Sequence, residues 1–160
     1  MDVSLVRLLH QSKQMLNIDH ARHIMWQLLC GLNYLYSAGV AHHEISPRNI
    51  LLNATCDVCI TDIPLYVEDE PDGHIAPLQH YYTSPEVLIS GDEQAQPRQS
   101  MWTAGCILAD ILNNKMGSLY EGGYFQDIGS CSHFKKLVSV IGRPSDNELL
   151  SEDCFIKVCM

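Results

Sequence analysis

The sequence predicts a mainly α-helical fold that carries one small β-hairpin. Apolar residues recur at steps of three and four between positions 21 and 36, which is the spacing of an amphipathic helix. Residues 100–112 are almost wholly apolar, which is typical of a helix buried on all sides. Two short apolar runs, residues 50–52 and 58–60, flank a polar turn and indicate paired strands. The 160 residues, 46% of them hydrophobic, suffice for one domain with a core.

The remaining helices have their own signals. Residues 1–10 place four leucines and valines on roughly one side of a short predicted helix. Asn17 is a favourable N-cap for the long amphipathic helix, and Gly39 is a favourable end for it. Residues 134–141 form the last predicted helix, which Gly142 ends.

Two segments read as loops. Residues 62–86 contain four prolines and show no lasting period, which predicts a long loop of the kind that is often functional. Residues 117–123 hold three glycines and predict a turn-rich linker between the last two helices.

Composition excludes several classes of function. The net charge of −9 argues against a nucleic-acid partner, because phosphate binding needs a basic face. We expect no membrane-spanning segment and no secretory signal, and the seven cysteines without a framework indicate reduced thiols. The predicted location is therefore intracellular, cytoplasmic or nuclear. Cys56 and Cys59 lack two further ligands at suitable spacing, so no zinc site is predicted.

The hairpin carries the residues that point to chemistry. A polar loop precedes it and reads His42-His43-Glu44-Ile45-Ser46-Pro47-Arg48-Asn49. The second strand ends at Asp62, and strands paired in this way hold Asn49 and Asp62 close together at one rim. Both side chains offer oxygens, which suit a hard cation such as Mg²⁺. A loop-capping role without metal is the alternative for the same two residues.

This arrangement resembles the catalytic loop and the metal-binding loop of a eukaryotic protein kinase, whose pattern His42, Pro47, Asn49 and Asp62 match. The resemblance implies ATP and Mg²⁺ as cofactors. It places Glu44 at the position of the catalytic base and gives Asn49 a catalytic role. It also implies that Asn49 and Asp62 hold the metal, and that Ser46 and Leu51 contact the nucleotide.

Other stretches extend the resemblance, and Met1-Asp2-Val3-Ser4-Leu5 and Gly142-Arg143-Pro144-Ser145 are similar to the hinge exit and the Gly-x-Pro-Ser turn of MAP kinases. The run Tyr81-Tyr82-Thr83-Ser84-Pro85-Glu86 is similar to the end of an activation segment, and Trp102 and Gly105 match the central helix of the C-terminal lobe. The resemblance implies one partial kinase domain that starts at the hinge. Its predicted parts are helices at 1–40, catalytic loop and hairpin at 41–64, activation-segment-like loop at 65–98, central helix at 99–114 and helical segment at 115–160.

Several charges that the family uses are replaced in this chain. His43 and Glu44 stand where the family has Arg and Asp, Ser46 replaces a Lys, and Pro64 replaces the Gly of Asp-Phe-Gly. The added methylene of Glu44 moves the carboxylate by roughly 1 Å, and a misplacement of that size costs about 10²-fold in rate. Ser100 replaces an Asp of the central helix. The departures predict weak binding of ATP and Mg²⁺.

The expected function is therefore that of a catalytically inactive, MAP-kinase-like protein that binds protein partners, such as signalling kinases or their substrates, or of a truncated product. The alternative is a serine/threonine kinase with reduced activity, or one whose N-terminal lobe is supplied elsewhere. Two further predictions concern packing. His42 is expected to be a buried structural imidazole, and Tyr81 and Tyr82 are expected to pack in the core rather than to be phosphorylated.

Overall fold

The computed structural model describes residues 3–11, 16–40, 42, 45–63, 79–90, 97–119 and 130–142. Helices dominate this part of the chain, as predicted. The elements in chain order are β1 (Val3–Ser4), α1 (Leu5–Gln11), α2 (Ile18–Ser37), β2 (Ile50–Leu52), β3 (Val58–Ile60), a 3₁₀ helix (Gln79–Tyr82), α3 (Pro85–Ser90), α4 (Pro97–Asn113) and α5 (Ser130–Ile141). No helix in the described ranges is long and apolar enough to cross a membrane.

Helix α2 forms where the sequence predicts it, between its two end signals. The Asn17 side-chain oxygen accepts hydrogen bonds from the backbone N–H groups of Asp19 and His20, at 3.0 and 2.9 Å. The His20 ring returns the bond by accepting from the Asn17 N–H at 3.2 Å, which completes a capping box. Gly39 follows the helix with φ +74°, a left-handed conformation that glycine adopts without strain.

The sheet has three antiparallel strands in the order β1-β2-β3. The predicted hairpin is confirmed, with Ile50 opposite Ile60 and Leu52 opposite Val58. The prediction of one helix over residues 1–10 is wrong at its start, because Val3 and Ser4 pair with β2 before α1 begins at Leu5. A two-residue strand has no period of its own, and its partner lies far along the chain, so local pattern did not indicate it.

The Gln27 side chain and close packing at Gly31 hold helix α2 and the hairpin together. The Gln27 amide donates to the Cys56 carbonyl at 3.0 Å, and its oxygen accepts from the Val58 N–H at 3.0 Å. A Cβ on Gly31 would lie 2.8 Å from Cδ1 of Ile60, so the missing side chain lets α2 approach β3. This contact fixes the hairpin, and the loop before it, against the longest helix.

Helix α4 packs against α2 along one side only. Ala104, Ile107 and Ile111 are buried in the core that α2 shares, and the Asn114 side chain joins the end of α4 to Leu16 through hydrogen bonds of 2.6 and 3.0 Å. The prediction of burial on all sides is wrong, because Met101 is 58% exposed and Leu112 is 48% exposed. An apolar run identifies a helix, but only the neighbouring elements decide how much of it is covered.

The stretch predicted as a long loop contains short helices at its end. A 3₁₀ helix ends at Tyr82, and α3 starts at Pro85, whose fixed φ suits the first position of a helix. Tyr81 and Tyr82 are 5% and 3% exposed, so the prediction that they pack in the core is confirmed. The rest of that predicted loop, residues 64–78, lies outside the described residues.

The last predicted helix is confirmed, and α5 begins four residues before the predicted start, at Ser130. Gly142 follows it with φ +91° and donates its N–H to the Val138 carbonyl at 2.9 Å. Part of the predicted linker, residues 120–123, and the chain after residue 142 lie outside the described residues.

Candidate functional site

The polar loop before β2 is anchored by a buried imidazole. His42 is 3% exposed, and its Nε2 lies 2.9 Å from the carbonyl oxygen of Thr61, the residue after β3. Because a carbonyl only accepts, Nε2 carries the hydrogen in this contact. The prediction of a buried structural imidazole at His42 is confirmed, and the contact ties the loop to the far strand.

The side chains of Ser46 and Asn49 are joined by a hydrogen bond inside this loop. The Ser46 hydroxyl donates to the Asn49 side-chain oxygen at 3.2 Å, and the two residues are 5% and 7% exposed. The Ser46 oxygen also accepts from the Arg48 N–H at 3.3 Å. The carboxamide oxygen expected to bind Mg²⁺ therefore accepts a hydrogen bond from a neutral hydroxyl, a contact of the kind that the loop-capping alternative describes.

Asp62 lies at the same end of the hairpin as Asn49. Thr61 donates its N–H to the Asn49 carbonyl at 2.8 Å, and Asp62 is the next residue along the chain. Asp62 is exposed and has φ +57°, a conformation that Asp tolerates better than most residues. We call this end of the hairpin, with Ser46, Asn49, Thr61 and Asp62, the rim.

The rim has few charges. Arg48 is the only Lys or Arg between residues 45 and 63, and it is exposed. Across the described ranges, no group of three or more His, Cys, Asp or Glu side chains could hold a metal ion. Binding of Mg²⁺ by Asn49 and Asp62 stays a prediction.

Of two other predicted site residues, the structure describes Leu51 but not Glu44. Leu51 sits in the middle of β2, half-buried, while its neighbours Ile50 and Leu52 are fully buried on the other face of the strand. Glu44, at the expected position of the catalytic base, lies outside the described residues, as does His43. Nucleotide contact by Leu51 and Ser46 stays a prediction.

Ser100 forms a hydrogen bond that the sequence analysis did not predict. The residue is 3% exposed, and its hydroxyl lies 2.8 Å from the hydroxyl of Tyr36 on α2. This contact joins α4 to α2. A neutral hydroxyl is well suited to such a helix–helix contact, because it can donate or accept.

Sequence reasoning also missed a buried carboxylate on α4. Asp110 is 1% exposed, and it accepts from the Tyr82 hydroxyl at 2.6 Å and from the Ser118 N–H at 2.8 Å. Burial and the nearby charge of Asp110 raise the pKa of the Cys106 thiol to about 12, so this thiol is no nucleophile at neutral pH. The signal that could have indicated these hydrogen bonds of Asp110 was an Asp inside an otherwise apolar helix.

Comparison with known proteins identifies the family. The sequence matches the protein kinase domain over residues 1–144. The chain belongs to the protein kinase family. Among curated kinases it is 34% identical over 155 residues to mitogen-activated protein kinase mpk-1 of Caenorhabditis elegans, covering 93% of this chain and 33% of that protein. It is 33% identical over 147 residues to mitogen-activated protein kinase 4 of Oryza sativa subsp. japonica, covering 88% of this chain and 38% of that protein.

Solved kinases share the fold. A MAP kinase from Leishmania major, LmaMPK10, superposes with a TM-score of 0.75 at 27% identity, over 98% of this chain and 45% of that chain. The yeast RNA polymerase II CTD kinase CTDK-1 complex gives a TM-score of 0.74 at 23% identity, over 98% of this chain and 50% of that chain, which shows the fold alone. This protein kinase chain is thus MAP-kinase-like and spans about a third of the curated relatives.

Protein kinases generally use ATP and Mg²⁺, and in this chain the site combines contacts within the loop with contacts from the loop to the hairpin. Two contacts join the loop to the hairpin: the His42 ring donates to the Thr61 carbonyl, and the Thr61 N–H donates to the Asn49 carbonyl. The side chains at the rim, however, bond to one another, as Ser46 does to Asn49. The arrangement can hold the loop in place, while residues 45–63 include a single Lys or Arg, Arg48, and phosphoryl transfer uses several cations.

Proposed function

We propose that this MAP-kinase-like chain acts without phosphoryl transfer, by binding protein partners. The observation that carries the proposal is the buried hydrogen bond from Ser46 to the Asn49 side-chain oxygen. A cation at Asn49 has to share that oxygen with a hydroxyl, and Ser46 lacks the positive charge of the Lys that it replaces. Loss of one such transition-state stabiliser typically costs about 10²–10³ in rate.

The decisive experiment measures nucleotide binding and phosphoryl transfer by the full 160-residue chain. Calorimetric titration with Mg-ATP is expected to give no binding heat, and labelled ATP is expected to leave casein unlabelled. Asp62→Ala is the control, because it removes the carboxylate that would hold Mg²⁺. Robust labelling of casein by the natural chain that disappears in Asp62→Ala would overturn the proposal.

A second candidate function is a serine/threonine kinase with reduced activity, or one completed by a separate N-terminal lobe. The observation that favours it is the geometry of the rim and of the loop before it, with the 2.9 Å contact from the His42 ring to the Thr61 carbonyl and the left-handed backbone of Asp62. The double variant Glu44→Asp, Ser46→Lys discriminates between the candidates. Gain of Mg-ATP binding by this variant would show that the rest of the site still works, whereas no gain supports a binding protein.

The proposed partners are proteins, such as signalling kinases or their substrates, and the proposed location is inside the cell, in the cytoplasm or the nucleus. The net charge of −9 supports a protein rather than a nucleic acid as partner. Fluorescence microscopy of the tagged chain tests the location.

A further inference from the structure

We draw no further inference here: the strongest candidate, the exposed apolar side of α2 at Ile18, Trp26 and Tyr34, carries nothing because no observation in the described part of the chain shows what covers it.

Discussion

The two ends of the β2–β3 hairpin are built differently. At the turn end, the Asn53 side-chain oxygen accepts from the backbone N–H groups of Thr55 and Asp57 at 3.0 and 2.8 Å, and its amide donates to the Asp57 carboxylate at 2.7 Å. Gln27 then joins this end to α2. At the rim, the bonds between two side chains that the structure describes are the 3.2 Å bond from Ser46 to Asn49 and a 3.3 Å bond from Thr61 to Asp62.

The difference shows that folding and phosphoryl transfer make separate demands on one hairpin. The turn end needs only amides and hydroxyls in the right geometry, and the chain has them. The rim needs cations and a well-placed carboxylate for chemistry, and there Ser46 bonds to Asn49 instead. The bonds that hold the turn end, from Asn53 and Gln27, do not involve the replaced groups, so this part of the fold does not depend on them.

The largest expected effect tests whether packing, rather than polar contact, holds the rim. Ile50 is fully buried in β2, so Ile50→Ala should lower the free energy of unfolding by about 2–5 kcal/mol. Leu51→Ala, on the half-buried face of the same strand, is the control and should cost clearly less. Urea unfolding followed by circular dichroism measures both. Equal losses would mean that the two faces of β2 are equally packed.

The next effect concerns the link between the turn end and α2. Gln27→Met keeps the length of the side chain but leaves the Val58 N–H and the Cys56 carbonyl without their side-chain partner. A loss of about 1–3 kcal/mol is expected in the free energy of unfolding. Asn33→Met on the exposed side of α2 should change stability by less than about 0.5 kcal/mol. If the two variants unfold at the same urea concentration, Gln27 does not hold the hairpin.

A smaller effect is expected at the rim. Ser46→Ala removes the hydroxyl that donates to Asn49, and both residues are buried, so a loss of about 1 kcal/mol is expected. Ser139→Ala, an exposed serine on α5, is the control and should change stability by less than about 0.5 kcal/mol. A Ser46→Ala variant as stable as the natural chain would show that the hydroxyl does not hold the Asn49 oxygen, which would then remain available to a cation.

The smallest effect is a pH dependence at the turn end. Hydrogen bonds from Thr55 and Asn53 hold the pKa of Asp57 below its usual 3.8. A lowered pKa means that the folded chain favours the carboxylate, so its contribution is present above pH 3.8 and is lost as the pH falls through the lower folded value. The gap in urea midpoint between the natural chain and Asp57→Asn should therefore shrink as the pH drops below 3.8. Parallel curves would show that the turn does not favour the charged form.

Local pattern predicted the parts of the molecule whose causes are local. Helix α2 follows from the Asn17 cap, its apolar period and Gly39, and burial of His42, Tyr81 and Tyr82 follows from their types and motifs. The hairpin follows from two apolar runs around a turn in which Asn53 bonds within four residues of itself. The order of motifs along the chain led to the kinase family, which the comparisons confirm.

Local sequence pattern could not predict contacts between residues that are distant along the chain. The pairing of β1 with β2, the bond between Ser100 and Tyr36, and the buried Asp110 each depend on a partner that the fold brings close. The exposed side of α4 is of the same kind, since Met101 and buried Ile107 look alike in sequence. Apolar character shows what a helix can bury, whereas its neighbours decide which side is buried.

For this protein, the sequence by itself determined the family, the positions of the long helices and hairpin, and the loss of the family's charges, because periodicity, caps and residue types act within a few residues. Only the tertiary structure decided that Ser46 bonds to Asn49, that Gln27 joins α2 to the hairpin, and that Asp110 of α4 is buried. Those outcomes depend on which surfaces meet, and free energies of contact across the fold settle them.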